Sequence, residues 1–553
     1  MGYKSSEHGV RSYIERNIEH AITRCHHPSA LVEDMGIPKE RASVIIDGNI
    51  AMFAVPNDVK TLDAYADYLT NHIREYLRSF GQVILLFDEP TYVPKTKGRE
   101  QRGRDAHQAR ALERETGGES PGFVVELAKG SQCVERYLVC DDSYTVADLV
   151  GAIDCHQVMR HRASRTRFID EVMRRMYDRI TLELQTSNQL DSCCLALSGI
   201  DLRGAGRPKD LEREPHAVCS NASSDGASDG GIHVVISEIL SSLSTIGEGD
   251  IKMRVVDDAL RALRPASLRP ELIAWVTTDF DSLGIGILHV AKLCERRMGD
   301  APRGPDFNAF ATRLADDELL DGITTVICAH EQRATCLRRA RELQRQMQPV
   351  QAPVRKRPRT EENIEPLPSF QVFEPKTVLQ HFCESACSPQ QTIDDRYQLP
   401  YASLASGVVA AFALGGCDFV THTTPQKATV FLKALMNVCK RQGGVAWLDA
   451  FALPFDKAQD VQLEIAPRLK VLQSIVNEAA DITFHGGARS GNNRVAHEAA
   501  LRALCDIENE NGTPLRNAAW AVRYWSEEGI CSGLGSDTPN FGQMMDNMSA
   551  WGF

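Results

Sequence analysis

Three apolar runs stop on carboxylates: "SVIID" ends at Asp47, "VILLFD" at Asp88, and "LIAWVTTDFD" at Asp279 and Asp281. Runs with so little polar alternation suit strands buried on both faces, because a wet face would show a polar residue at every second position. The stretches between them are amphipathic and predict helices over about 59–80, about 145–182 and from about 249, with "RYLVC" and "IHVVIS" as further strands. Buried strands alternating with helices predict an α/β fold built on a parallel sheet. Such sheets take their ligands at the carboxyl ends of the strands, which is where these acids collect.

Two more motifs add to the set. "GEGDIKM" places Glu248 and Asp250 in a glycine-flanked turn at a predicted helix start, and "GGCDF" places Asp418 just after an apolar helix. Helix N-termini favour acids in any protein, so one such residue has an ordinary explanation. Seven that the proposed sheet carries towards one edge would raise each other's pKa values unless a cation compensated them. Hard divalent ions with oxygen ligands fill that need. Two of them about 3.5–4 Å apart can activate water and stabilise the leaving oxygen of a phosphoryl displacement.

The order "IIDGN", "LLFDEP", "GEGDIKM", "TTDFDSLG", "GGCDF" resembles the flap endonuclease and Xrn superfamily of metal-dependent 5′ nucleases. In wording it is most similar to the Xrn 5′→3′ exoribonucleases, which read Gly-Glu-Gly-Glu-His-Lys-Ile and Gly-Asn-Asp-Phe-Leu-Pro-His at two of these places. The resemblance implies a PIN-like nuclease core, a helical arch and a mostly helical C-terminal region. It also implies two Mg²⁺ or Mn²⁺ ions. Asp47, Asp88, Glu248, Asp250 and Asp279 would hold the catalytic ion, and Asp281 and Asp418 would help place the second. Lys95 and Arg102 match the family's phosphate-gripping bases, with Arg99 as a third, and Phe53 stands where relatives stack a ring on the terminal base. An ordinary core residue is the other reading of Phe53. Segment 95–114 and the helix 145–182 would form the arch, making their arginines phosphate guides; a pair of solvated basic helix faces is the plainer reading.

The match departs from flap endonucleases after Asp418, where "CDFVTHTTPQKATVFLKAL" lacks their glycine-paired hairpin for duplex DNA. A single strand, and RNA in particular, is therefore the favoured substrate, cut from its 5′ end or internally. A structure-specific DNA nuclease and a catalytically inactive nucleic-acid-binding scaffold are the alternatives. Relatives begin with a similar phrase whose glycine stands near residue 2, whereas "GVRSYI" begins at Gly9 and reads as preceded by an eight-residue extension.

At 553 residues the chain exceeds one core, and composition shifts divide it. Residues 1–340 read as the nuclease core with an insertion near 185–231, 341–368 as a basic, proline-rich linker, 369–441 as completion of the core and 442–553 as a helical C-terminal region. A net charge of −12 argues against a generic nucleic-acid coat. The longest apolar stretch, "GVVAAFALGGCDFV", falls short of a bilayer span. Sixteen cysteines scattered through the chain read as free thiols of an intracellular protein. The run 355–359 in "VRKRPR" reads as a nuclear-import patch, with the cytoplasm as the other location, and "MGYKSS" leaves myristoylation of Gly2 open.

Overall fold

Apolar side chains on both faces of a strand need cover on both sides, and each of the three acid-terminated runs is a buried strand. In the computed structural model the described residues are, apart from short breaks and a few isolated positions, 10–88, 162–202, 216–219, 249–263, 269–298, 322–330, 370–386, 401–417, 428–442, 461–485, 492–505 and 513–526. Among them run eight strands: β1 (Ile22–Cys25), β2 (Ala42–Asp47), β3 (Gln82–Leu86), β4 (Cys194–Ser198), β5 (His216–Cys219), β6 (Leu272–Thr277), β7 (Thr324–His330) and β8 (Phe370–Phe373). The chain divides into two compact units, one within Pro38–Pro270 and one combining Met1–Ile37 with Glu271–Ser526. Both are α/β, and the strands are of mixed direction.

Within Pro38–Pro270 the order is β2-β3-β4-β5. β2, β3 and β4 are parallel and in step, with Ser43 opposite Gln82 and Asp47 opposite Leu86. The Ser43 hydroxyl donates to the Gln82 side chain at 2.6 Å, which satisfies two polar groups in the buried pair of strands. Helix Leu62–Ser79 starts at Thr61, whose hydroxyl accepts from the Ala64 amide at 3.3 Å. It buries Leu62, Tyr65, Ala66, Leu69, Ile73, Tyr76 and Leu77, a stripe at helical spacing. Helix Arg162–Thr186 packs against it, with Phe168 edge-on to Tyr65 at 5.3 Å.

Three arginines of that second helix, expected as phosphate guides, have acidic partners. Arg175 pairs with Asp63 at 2.6 Å and Arg179 with Asp67 at 2.8 Å, while Arg174 pairs with Glu171 at 2.8 Å. Arg74 reaches back to Glu183 at 2.8 Å. Arg74, Arg175 and Arg179 tie the two helices together, Arg174 pairs within its own helix, and acids of both helices compensate their charge. Residues 95–114, the other half of the expected arch, lie outside the described residues.

In the other unit the order is β1-β8-β7-β6. β6 and β7 are parallel, whereas β8 runs antiparallel to both β7 and β1. β5 is likewise antiparallel to β4. The all-parallel expectation is therefore corrected: the acid-bearing runs are parallel to their neighbours, and the additions β1, β5 and β8 are four-residue antiparallel strands. Helix Tyr401–Leu414 carries residues 407–414 of the apolar stretch that falls short of a bilayer span. It is buried from Ser403 to Leu414 and packs on helices Asp281–Met298, Pro375–Ala386, Ala428–Arg441 and Thr513–Ser526. A helix apolar all round needs neighbours all round. Among the described residues no helix is long and apolar enough to cross a membrane.

One correction concerns "IHVVIS". Ile236, expected in a strand, is helical, and so is Leu240. Ile236, Leu240 and Leu243 are all buried and stand at i, i+4 and i+7, the spacing of a helix face. The four branched residues around Ile236 hide that period.

Two histidines of the unit containing β8 meet the ring of Phe370 edge-on, His330 at 5.1 Å and His27 at 6.3 Å. Burial lowers the pKa of both, His27 to about 4. The Ser29 amide donates to His27 Nδ1 at 3.2 Å, a bond that a protonated Nδ1 would lose. With folded values below the ordinary 6.5, the unfolded chain takes up these protons first. Stability should fall as pH drops from 6.5 towards about 4, and this contribution should be constant above 6.5. Urea midpoints measured across that window should decline in the wild type and decline less in a His27→Gln/His330→Gln variant; equal slopes would contradict the assignment.

Candidate metal centre

Phe87 sets the position of the first acids. It follows β3, its amide donates to the Ser198 carbonyl at 3.0 Å, and its ring lies where a side chain at residue 48 would stand. A Cβ on Gly48 would come within 2.3–2.5 Å of that ring. On the other side Gly199, at φ +81°, lets the Phe87 carbonyl approach to within 2.6 Å of its Cβ position. Clamped between these glycines, Phe87 delivers Asp88 to the carboxyl end of its strand. Gly48→Ala should cost about 1–3 kcal/mol through overpacking, read as a lower urea midpoint. An unchanged midpoint would mean the ring is not fixed there.

Asp88 then meets the start of helix Gly249–Arg261: the Gly249 amide donates to Asp88 Oδ1 at 2.8 Å. Asp47, the last residue of β2, accepts the Asn49 amide on its own Oδ1 at 2.9 Å. A Cβ placed on Gly249 would lie 3.4 Å from Asp88 Oδ1 and 3.9 Å from Asp47 Oδ1. Both carboxylates therefore border the same small space at a helix N-terminus, and Asp250 stands in the first turn of that helix. Adjacent parallel strands with aligned ends, as the Asp47–Leu86 register shows, produce the convergence.

The same helix carries a residue that the sequence reading left without a role. Lys252 is fully buried, and its ammonium donates to the Phe87 carbonyl at 2.7 Å. It places a cation at the residue before Asp88 and ties the strand end to the helix. Its place on the buried stripe with Val256 and Leu260, at i, i+4 and i+8, was readable from helical spacing. One turn further, Asp257 and Arg261 form a buried ion pair at 2.5 Å.

In the other unit β6 ends at Thr277, and Asp281 opens helix Asp281–Met298. Between the end of the strand and the start of the helix, a capping turn joins Asp279 and Asp281. The Asp281 amide donates to Asp279 Oδ1 at 3.1 Å, and the Asp279 amide donates to Thr277 Oγ1 at 3.0 Å. Ser282 Oγ adds a bond to the same Thr277 hydroxyl at 3.2 Å. Asp281 is buried and Asp279 half-buried.

Phe53 ends helix Gly48–Phe53 with 60% of its surface exposed, so it is not a core residue. Glu248, Asp418, Lys95, Arg99 and Arg102 lie outside the described residues. Compared with known proteins, the chain matches no family model and no curated protein.

The donor chemistry fits a hard divalent cation. Asp47, Asp88 and Asp250 offer only oxygens, and glycine at 249 keeps clear the space a side chain would fill between the first two.

Proposed function

We propose that this chain is a divalent-cation-dependent 5′ nuclease with a PIN-like core, acting on RNA or another single strand. The observation that carries the proposal is the meeting of Asp47 and Asp88 at Gly249, beside Asp250. Those residues would hold Mg²⁺ or Mn²⁺, and the resemblance in motif order adds Glu248, Asp279, Asp281 and Asp418 as ligands. When bound, the cation supplies Lewis acidity towards a phosphoryl oxygen and lowers the pKa of water.

The chain's own residues do the rest. Backbone amides of Asn49 and Gly249 fix the rotation of the two carboxylates before any substrate arrives. Lys252, held on the carbonyl of the residue before Asp88, would offset part of the repulsion among the acids. Lys95 and Arg102 would hold the phosphate and stabilise the charge it gains as water attacks. The exposed face of Phe53 offers a sequence-tolerant platform for a base, worth about 1–3 kcal/mol where stacking forms. The run 355–359 extends the proposal to import into the nucleus.

The test is cleavage of end-labelled 5′-phosphorylated single-stranded RNA, the same sequence as DNA, and a DNA flap, in Mg²⁺ or Mn²⁺, beside an Asp279→Asn control. Loss of RNA from the 5′ end in the wild type alone supports the proposal. Selective cutting of the flap would transfer the protein to DNA metabolism. Equal inertness of wild type and control on all three would leave a binding scaffold.

A further inference from the structure

Cys194 and Cys219 face each other directly across the antiparallel pair β4–β5. Opposite residues in such a ladder have Cα atoms about 4.5–5.5 Å apart, inside the roughly 4.4–6.8 Å that a disulfide spans. The two positions differ in access. Cys194 is 4% exposed, whereas Cys219 is half-buried on the last strand of the order β2-β3-β4-β5. Tyr177 lies beside both: burial raises its hydroxyl to about 12, and the two thiols add to the rise. Cys193, the neighbour in sequence, points elsewhere and donates its thiol hydrogen to the Leu77 carbonyl at 3.1 Å. Adjacent residues take opposite faces in extended chain, so the geometry selects one partner for Cys219.

We infer that Cys194 and Cys219 form a peroxide-sensitive thiol pair that closes into a disulfide, with Cys219 as the entry thiol and Cys194 as the resolving one. The Cys219 sulfur attacks one oxygen of hydrogen peroxide, the O–O bond breaks, and a sulfenic acid and one water result. The Cys194 sulfur then attacks the Cys219 sulfur, forming the S–S bond and expelling the second water. Two thiols lose two electrons and two protons, and one peroxide is reduced to two waters. The product staples β5 to β4 and closes the chain over residues 195–218. Its formation is independent of the acidic centre and of the proposed nuclease activity.

The experiment treats the folded full-length protein with hydrogen peroxide, alkylates remaining thiols, and maps peptides by mass spectrometry without reduction. The expected result is loss of alkylation at both cysteines and a linked peptide pair lighter by two hydrogen atoms, reversed by a dithiol reductant. In a Cys219→Ser variant Cys194 should stay reduced at the same peroxide dose. Full alkylation of both residues after treatment, linkage of Cys219 to Cys193 instead, or oxidation of Cys194 in the Cys219→Ser variant would each overturn the inference.

Discussion

Asp88→Asn will lower cation-dependent cleavage by at least about a hundredfold, since even the outer partners of metal ligands contribute ten- to a hundredfold. The substitution separates charge from structure. An asparagine of the same shape keeps a side-chain oxygen to accept the Gly249 amide, the bond that measures 2.8 Å in the wild type. Helix Gly249–Arg261 therefore stays docked, and only the negative charge is lost. Circular dichroism and the urea midpoint should change little while the rate collapses. Asp47→Asn should behave alike, because its Oδ1 also serves a backbone amide. Retention of activity within a few-fold in both variants would show that these acids cap a turn and nothing more.

Lys252→Met is the second large effect, and it falls on stability. Methionine matches the lysine stem in length and fills the same buried volume, so packing is nearly conserved. What disappears is the ammonium. The Phe87 carbonyl, which accepts it at 2.7 Å, is then left buried without that donor, at a cost of about 1–3 kcal/mol. The acids lose a compensating charge as well. We expect a lower denaturation midpoint than wild type, partly restored by millimolar Mg²⁺ or Mn²⁺, because a ligand that binds only the folded state stabilises it. A midpoint equal to wild type would remove Lys252 from the support of the centre. Lys252→Arg is the harder test of geometry, since the longer planar group does not fit a space built for one point donor.

The parts of the fold that sequence made legible are those where one physical demand acts alone. "SVIID", "VILLFD" and "LIAWVTTD" are apolar because both faces are covered, and their final acids, half-buried, stand at the strand end or two residues past it. The helix beginning at Gly249 was equally plain, since a glycine turn precedes a clear amphipathic period. The strands β1, β5 and β8 were not. "ITRC", "HAVC" and "FQVF" are four residues each, too short for a period to show, and long-range pairing decides their direction. The run around Ile236 misled because branched residues favour strands locally while tertiary burial selects the helical face. For the centre, sequence named Asp47, Asp88 and Asp250 but not the glycine clamp on Phe87 or the buried Lys252. Those depend on which backbone comes close to which, and that is a property of the packed strands.

The most direct measurement is calorimetric titration of Mn²⁺ into the purified full-length chain beside an Asp47→Asn/Asp88→Asn variant of matched fold. The account predicts saturable binding in the wild type that is lost or weakened at least about tenfold in the variant. Absence of binding in the wild type, or equal binding in both proteins, would contradict a metal centre at Asp47 and Asp88.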